Sequence, residues 1–337
     1  MYEHFLFAFR AVAPIMLYIM LGYCLKSIGI IEKDFFKQCN RFIFHVFLPT
    51  TAFTGIYACP SLAELDLPLV GFCSLLVVLL AAVGLVIVHM LIKDPYSYSA
   101  AHQTFFRSNA MVLGSALAVS LAGEEGGTLI STILLVLMPI MNVFAVLTLT
   151  LHPNHGGGKR TVKGFLISIF TNPLIAACLL GLLMLIIRAL LPKNADGEAI
   201  FTLKNDLPII FDVITRIGAC SMPLSLIILG GLMDFSNIKG DLGPIVLGLV
   251  SKLFFAPFLA VALALAVHHA GLYAFSAPAY ATLLALFGSP IAVASGPLTA
   301  EMGGDGELAA QYVMWTNLFL MVSMPLEIVV MRSMGLF

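Results

Sequence analysis

The chain reads as an all-α polytopic membrane protein, ten transmembrane helices in two inverted five-helix repeats, and three observations predict this. Apolar residues make up 60% of it and charged residues only 10%, outside the range of soluble domains. Apolar segments close to the roughly 20 residues that a membrane span needs follow one another, leaving little chain for an extramembrane domain. Prolines and glycines then recur at matched places in the two halves, as they do in transporters built from inverted repeats.

Hydropathy, with turns and charges as punctuation, puts spans 1 to 5 at Phe5–Leu25, Phe42–Tyr57, Leu67–Ile92, Phe105–Ala122 and Leu129–Leu151. Spans 6 to 10 follow at Phe165–Leu191, Leu207–Met233, Pro244–Val267, Ala277–Ala300 and Leu308–Met331. Met1–Arg10 carries Glu3 and no basic cluster, and no small-residue cleavage site closes the apolar stretch, so span 1 is expected to be retained. The six cysteines, Cys24, Cys39, Cys59, Cys73, Cys178 and Cys220, have no metal or redox spacing and read as small core residues.

Between spans 5 and 6 runs HPNHGGGKRTVK, His152–Lys163, a short cytoplasmic linker that divides repeat 1–151 from repeat 164–337. Its Gly-Gly-Gly-Lys resembles part of a phosphate loop, but Arg160 follows the lysine where Ser or Thr belongs and no strand precedes it, so it reads as a flexible loop. With the N-terminus outside, cytoplasmic loops and flanks collect Lys26, Lys33, Lys37, Arg41, Lys93, Arg107, Lys159, Arg160, Lys163, Lys239 and Lys252. The other side collects Arg10, Arg188, Lys193, Lys204 and Arg332. Eleven against five puts both termini outside by the positive-inside rule.

The repeat appears first in spans 1 and 6, where Pro14 and Pro173 are each followed eight residues later by a glycine, Gly22 and Gly181. Pro49 in span 2 matches Pro223 in span 7, and Pro139 in span 5 matches Pro325 in span 10. Five spans per repeat is an odd number, so the halves have opposite topology and spans 4 and 9 can meet at the midplane. Span 9 holds Gly288, Ser289, Pro290, Ser295, Gly296 and Pro297 within ten positions of an apolar stretch, Leu286–Glu301. Such a helix is interrupted, and in lipid the freed backbone groups survive only where they line a protein or water-filled cavity. Span 4 gathers Arg107, Ser108, Asn109, Gly114 and Ser115 where a lipid-facing helix would carry leucine, and is expected to break likewise.

Leu21-Gly22-Tyr23 with Gly29, Asn40-Arg41-Phe42, Phe47-Leu48-Pro49, Arg107-Ser108-Asn109 with Gly114, Asn172-Pro173, Pro223-Leu224 with Gly230-Gly231, and Pro290-x-Ala292 with Ala300-Glu301 and Gly303 resemble, in order and spacing, the auxin efflux carrier family. Its bacterial members include carriers of malate, malonate and related anions, and its plant members export auxin. The resemblance runs nearly end to end. It implies a scaffold part and a transport part built around crossed, broken helices 4 and 9, an architecture similar to that of cation/proton antiporters and bile-acid symporters. Ala116 stands where the family commonly carries proline, and the long central loop of the plant carriers is absent.

At a helix break the second half-helix presents free amides and the positive end of its dipole, which favours an anion. Two such breaks make a carboxylate-sized site without a buried cation. Candidate substrate-binding residues are Asn109, Ser108, Gly114, Ser115, Gly288, Ser289, Pro290 and Ser295, with Asn109 able to donate to a carboxylate or to hold unwound backbone. Arg107 is expected at the cytoplasmic mouth, as an anion-steering charge or an anchor.

Asp212 and Arg216, four apart in span 7, share a helix face as a structural pair or as a gating or ion-coupling pair. His45 is a proton carrier or a packing residue, and Glu327 in span 10 is taken as interfacial. The reading is a secondary carrier of a small organic anion by alternating access, with no cofactor, with H+ or Na+ as the open choice of coupling ion, and with the bacterial inner membrane as its place. Its partners are the anion and the bilayer, with no nucleic acid; homodimer formation is left open. A sodium-coupled bile-acid-type symporter or a cation/proton antiporter is the alternative, the latter disfavoured because MPIMNVF around Asn142 lacks adjacent aspartates. An intramembrane enzyme is excluded on sequence grounds: Met302 breaks the GxGD motif at Gly303-Gly304-Asp305, and Val293 breaks GxSG at Ala294-Ser295-Gly296.

Overall fold

A computed structural model describes residues 2–58, 66–151, 172–193, 199–232 and 238–337. The predicted linker 152–163, the opening of span 6 and Cys59 lie outside the described residues. The architecture is all-α. Helix α1 is Tyr2–Ser27, and α2, Lys33–Phe42, runs through the π-helical turn Ile43–Phe47 into α3, Leu48–Tyr57. Span 2 thus begins nine residues before its predicted start, because Lys33, Asp34, Lys37 and Arg41 are helical yet too polar for a hydropathy window to include.

Next comes α4, Leu67–Leu91, then α5, Tyr98–Phe106, which begins seven residues before the predicted start of span 4 and stops ahead of Arg107. After the break a π turn, Ala110–Gly114, feeds α6, Ser115–Leu151. Inside α6 two helical segments meet at the predicted end of span 4: Ala122 leaves the helical region, Gly123 takes φ +62°, a left-handed value that favours glycine, and the chain folds back so that a Cβ on Gly126 would lie 2.4 Å from the Ala118 carbonyl oxygen. The second half holds α7 (Pro173–Leu190), the single turn α8 (Leu203–Asp206) and α9 (Pro208–Leu232). Helix α10, Ile238–Val250, passes through a π turn at Ser251–Phe255 into α11, Ala256–His269. Span 9 is two pieces, α12 (Ala277–Gly288) and α13 (Ser295–Glu301), and α14 (Gly306–Ser333) ends the chain.

Among the described residues six helical stretches are long and apolar enough to cross a membrane: Leu67–Leu91, Ala110–Thr150, Pro173–Leu190, Pro208–Leu232, Leu242–His269 and Gly306–Ser333. Met16–Ser27 and Ala277–Gly288 are shorter apolar helices. Helix α4 has one packed face, with Cys73, Val77 and Leu80 buried, and one bare apolar face, with Leu75 and Met90 more than 70% exposed. A bare leucine face is costly in water and ordinary in lipid.

Small residues set the closest packing. A Cβ on Gly22 of α1 would lie 1.8 Å from the Ile227 carbonyl oxygen of α9, and one on Gly230 would lie 1.9 Å from that of Ile19. The two backbones therefore touch, as helices in lipid do when small residues line their contact. Helix α7 lies along α3 through Gly181, whose Cβ would sit 3.1 Å from the Phe53 carbonyl. Gly22→Val should push α1 off α9 at a cost of roughly 1–3 kcal/mol, read as a lower unfolding temperature in detergent; an unchanged midpoint would refute this packing.

Loops are tied too. Asp66 caps α4 by accepting from the Leu69 amide at 3.1 Å, and the Tyr273 hydroxyl, before α12, donates to the same carboxylate. Burial first, then the Asp66 carboxylate it bonds to, push the Tyr273 phenol well above its ordinary value. A phenol raised on folding stabilises the fold below the unfolded pKa of about 10, and that share is lost as pH rises through the folded value. At neutral pH Tyr273→Phe should be less stable by about 1 kcal/mol. That deficit should shrink in strong alkali, measured as paired melting curves.

Candidate functional site

The two breaks meet each other. Arg107 turns to extended backbone (φ −96°, ψ 104°), Asn109 follows outside the helical region, and after Gly288 the chain runs extended at Ser289 (φ −65°, ψ 149°). Ser108 and Ile291 form an isolated antiparallel bridge. The Asn109 amide donates to the Pro290 carbonyl at 2.7 Å, and the Ile291 amide donates to Thr316 Oγ1 of α14 at 3.3 Å. An unwound backbone deep in the apolar interior thereby finds partners. The unwinding lies at Arg107–Asn109, ahead of Gly114 and Ala116, so alanine in place of the family's proline stands inside regular helix and leaves the break intact.

Beside this junction lies a cavity of about 610 Å³, a size that suits a small ligand. Arg107, Ser108, Asn109 and Val112 line it from span 4, Ala292–Ala294 from span 9, and Asn142, Met138 and Met141 from α6. Helices α3 and α9 close it with Thr51, Thr54, Thr215, Ser221, Met222 and Ser225. Most of the wall is methionine, leucine, valine and alanine, with one cation at one end.

That cation is Arg107, and the structure corrects its expected place. It is not at a cytoplasmic mouth: it is 2% exposed, with Nη1 donating to Gln103 Oε1 at 2.8 Å and Nη2 to Asn142 Oδ1 at 3.1 Å. Both acceptors are neutral, and among the described residues no carboxylate lies within ion-pair distance. Asn109 is 7% exposed and its Nδ2 has no hydrogen-bond partner, and the buried Ser225 Oγ is likewise unpartnered. The amides of Ala110, Met111 and Val112 open the helix that follows the break and have no earlier carbonyl in that helix to bond. At the other break the Ser295 and Gly296 amides turn back onto the Ala292 and Val293 carbonyls, so the two breaks do not contribute alike.

The remaining candidates sit around the junction, outside the cavity wall. Ser115 Oγ bonds the Ala110 carbonyl, Ser289 Oγ bonds that of Leu286, and Pro290 supplies the carbonyl that receives Asn109. Gly114 and Gly288 are close-packing positions: added Cβ atoms would meet the Ala285 carbonyl at 3.2 Å and Glu327 Oε2 at 2.9 Å. Ser295 is fully buried with an unpartnered hydroxyl. Asp212 and Arg216 form an exposed ion pair at 2.7 Å away from the cavity, and exposed His45 bonds the Arg41 carbonyl through Nδ1. No group of three or more His, Cys, Asp or Glu side chains that could hold a metal occurs among the described residues.

Two charged residues are corrected as well. Lys252, counted as a cytoplasmic charge, is fully buried in the π turn of span 8 and donates to Ser108 Oγ at 2.5 Å and to the Phe287 carbonyl at 3.0 Å. Glu327 is not interfacial but 1% exposed, packed against Gly288. The signal for Lys252 was present, since it stands between Leu249-Val250-Ser251 and Leu253-Phe254-Phe255, in the interior of an apolar span. Without Arg107 and Lys252 the loop count falls to nine against five, with the same sign.

Asn142→Leu should cost roughly 1.5–3 kcal/mol by taking an acceptor from the buried guanidinium. Adding Arg107→Met should cancel most of that loss, giving a coupling energy in a double-mutant cycle; strictly additive melting data would break the link.

No curated protein matches the chain. The membrane transport protein family matches residues 7–328, nearly all of it. With six candidate spans and a broken-helix cavity inside that match, the chain belongs to the membrane transport protein family, the auxin efflux carriers, and is a multi-pass membrane transporter, not an enzyme.

Proposed function

We propose that the protein is a secondary transporter of small organic anions that works by alternating access, with the substrate at the junction of the two breaks. The observation that carries this is Arg107: a buried guanidinium facing a cavity with no carboxylate beside it. A buried unpaired charge is expensive, and a substrate carboxylate relieves it, with the Asn109 amide as a second donor. One cation against a methionine-rich wall favours a single carboxylate on an apolar body over a dicarboxylate.

The same reading takes the chain as ten spans in two inverted repeats with spans 4 and 9 crossed. Contacts between loops support the count. Ten crossings put the loop before α4 on the same side as Tyr273, which bonds Asp66, and put Ser97 with Asp305, to whose carboxylate it donates at 2.8 Å. They also put Arg41 with Glu301, paired at 3.3 Å, and Tyr57 with the Leu203 amide, bonded at 2.8 Å. Every pair falls on one side. The repeat is supported by its partners: α1 of span 1 packs on α9 of span 7, and α7 of span 6 packs on α3 of span 2, which are the same pairing with the halves exchanged. Both termini outside, in a bacterial inner membrane, completes the reading.

Purified protein should be stabilised against heat by phenylacetate more than by malate, and Arg107→Gln should weaken phenylacetate binding by at least about thirtyfold. Stabilisation by malate alone would replace the substrate class, and no response to either anion would remove the reading. Sodium dependence of uptake in proteoliposomes would favour the bile-acid-type symporter instead.

A further inference from the structure

Against the same junction, outside the cavity wall, lies a second group of charges. Lys252 reaches from the π turn of span 8 to both broken segments, donating to Ser108 Oγ of the first and to the Phe287 carbonyl at the end of the second. That carbonyl is among the last of α12, where no helical amide remains to receive it, and a cation at a helix C-terminus is favoured by the dipole. Glu327 lies against Gly288, one residue further on. Both of its carboxylate oxygens are buried without a hydrogen-bond partner among the described residues, and no ion pair joins it to Lys252 within 4.0 Å. A carboxylate with no donor at the negative end of a helix is badly placed, whereas a neutral carboxylic acid fits there.

We propose that Glu327 is the proton-coupling group of this transporter, binding one proton with each anion, and that Lys252 relays its protonation state to the anion site through Ser108. The proposal rests on the anion reading above. The proton comes from water of the compartment to which the site opens, adds to a carboxylate oxygen of Glu327, and leaves to water on the other side with the anion. With Glu327 neutral, the Lys252 ammonium holds Ser108 and Phe287, and the junction that carries Arg107 and Asn109 is assembled. With Glu327 ionised, two opposite charges in a dry interior attract strongly; Lys252 is drawn from Ser108 and the junction loosens. Linkage makes this reciprocal, so a bound anion favours the protonated acid. A monoanion moved with one proton also crosses without net charge, avoiding the cost of carrying bare charge through the membrane.

Among the described residues the other elements against α14 bring no charge within ion-pair distance of Glu327. His102 of α5 is held by Thr148 and the Ala81 carbonyl, Glu301 of α13 pairs with Arg41, and Asp212 and Arg216 of α9 pair with each other in the open. Lys26 of α1 lies over the Tyr23 ring, Arg107 at the end of α5 is held by Gln103 and Asn142, Tyr18 of α1 and Tyr280 of α12 remain, and the charge acting on Glu327 is that of Lys252. Lys252 also occupies the junction oxygens that a sodium ion would need, which favours protons over sodium.

Infrared difference spectra of the purified full chain, titrated from acid to alkali, should contain the carbonyl band of a buried carboxylic acid that vanishes on ionisation and is missing from Glu327→Gln. Wild type should bind phenylacetate at least about fivefold more tightly in acid than in alkali. Glu327→Gln, a mimic of the neutral acid, should bind at both pH values with the acid-side affinity, keep anion exchange in proteoliposomes and lose uptake driven by a pH gradient. Lys252→Met should leave the band and abolish the pH dependence of binding. A band that never titrates, or gradient-driven uptake in Glu327→Gln, would overturn the coupling alone. A titrating band in a wild type that binds and exchanges no anion would overturn the coupling and the anion reading together.

Discussion

The structure depends on one short contact, the hydrogen bond from the Asn109 amide to the Pro290 carbonyl with the Ser108–Ile291 bridge beside it. Helices are stable in an apolar interior because each backbone group is satisfied within the segment. Two interrupted helices forfeit that at their breaks, and each break is tolerable only if the other is present to pair with it. The pairing fixes where spans 4 and 9 approach, and hence where the half-helices α5, α6, α12 and α13 begin and end. The cavity and the buried Lys252 both adjoin this junction.

Ser108 belongs to both: it lines the cavity and accepts from Lys252. Arg107 and Lys252 are the two cations buried at the junction, and they differ in how they are held. Arg107 is planar and always charged, suited to staying in place and receiving a carboxylate, while an ammonium on a flexible stem can change partners. Neutral side chains hold the guanidinium, Gln103 and Asn142. Its charge is therefore oriented without being neutralised, which keeps it available to an anion.

Much of the helical pattern was legible in the sequence, because a span announces itself by length and apolarity, and a break by Pro290 and the glycines near it. Boundaries were less legible where polarity and helicity part company: Lys33–Phe42 is helix outside the apolar stretch, and α5 begins at Tyr98, seven residues before the predicted start of span 4. The site was half legible. Ser108 and Asn109 stand out as polar residues in span 4, but a charge count assigns positives to loops by default and so places Arg107 and Lys252 there. Glu327 reads as an interfacial group because Arg332 follows it closely. Hydropathy cannot separate a charge facing lipid headgroups from one facing a neighbouring helix; only packing against Gly288, or hydrogen bonds to Gln103 and Ser108, makes that distinction.

The junction also explains why small residues gather where they do. Gly114 lies against the Ala285 carbonyl and Gly288 against Glu327, so each broken helix carries a glycine at the point where a side chain would hold the halves apart. Gly22 and Gly230 do the same for α1 and α9 by direct backbone contact. The first pair lies at a contact where Asn109 Nδ2, Ser295 Oγ and both Glu327 oxygens have no partner among the described residues, and the second at a contact of backbone against backbone. The two kinds of contact differ in what it takes to part them. At the junction the Lys252 ammonium and a backbone hydrogen bond can be exchanged for other partners, whereas the glycine seam, backbone against backbone, has nothing to exchange.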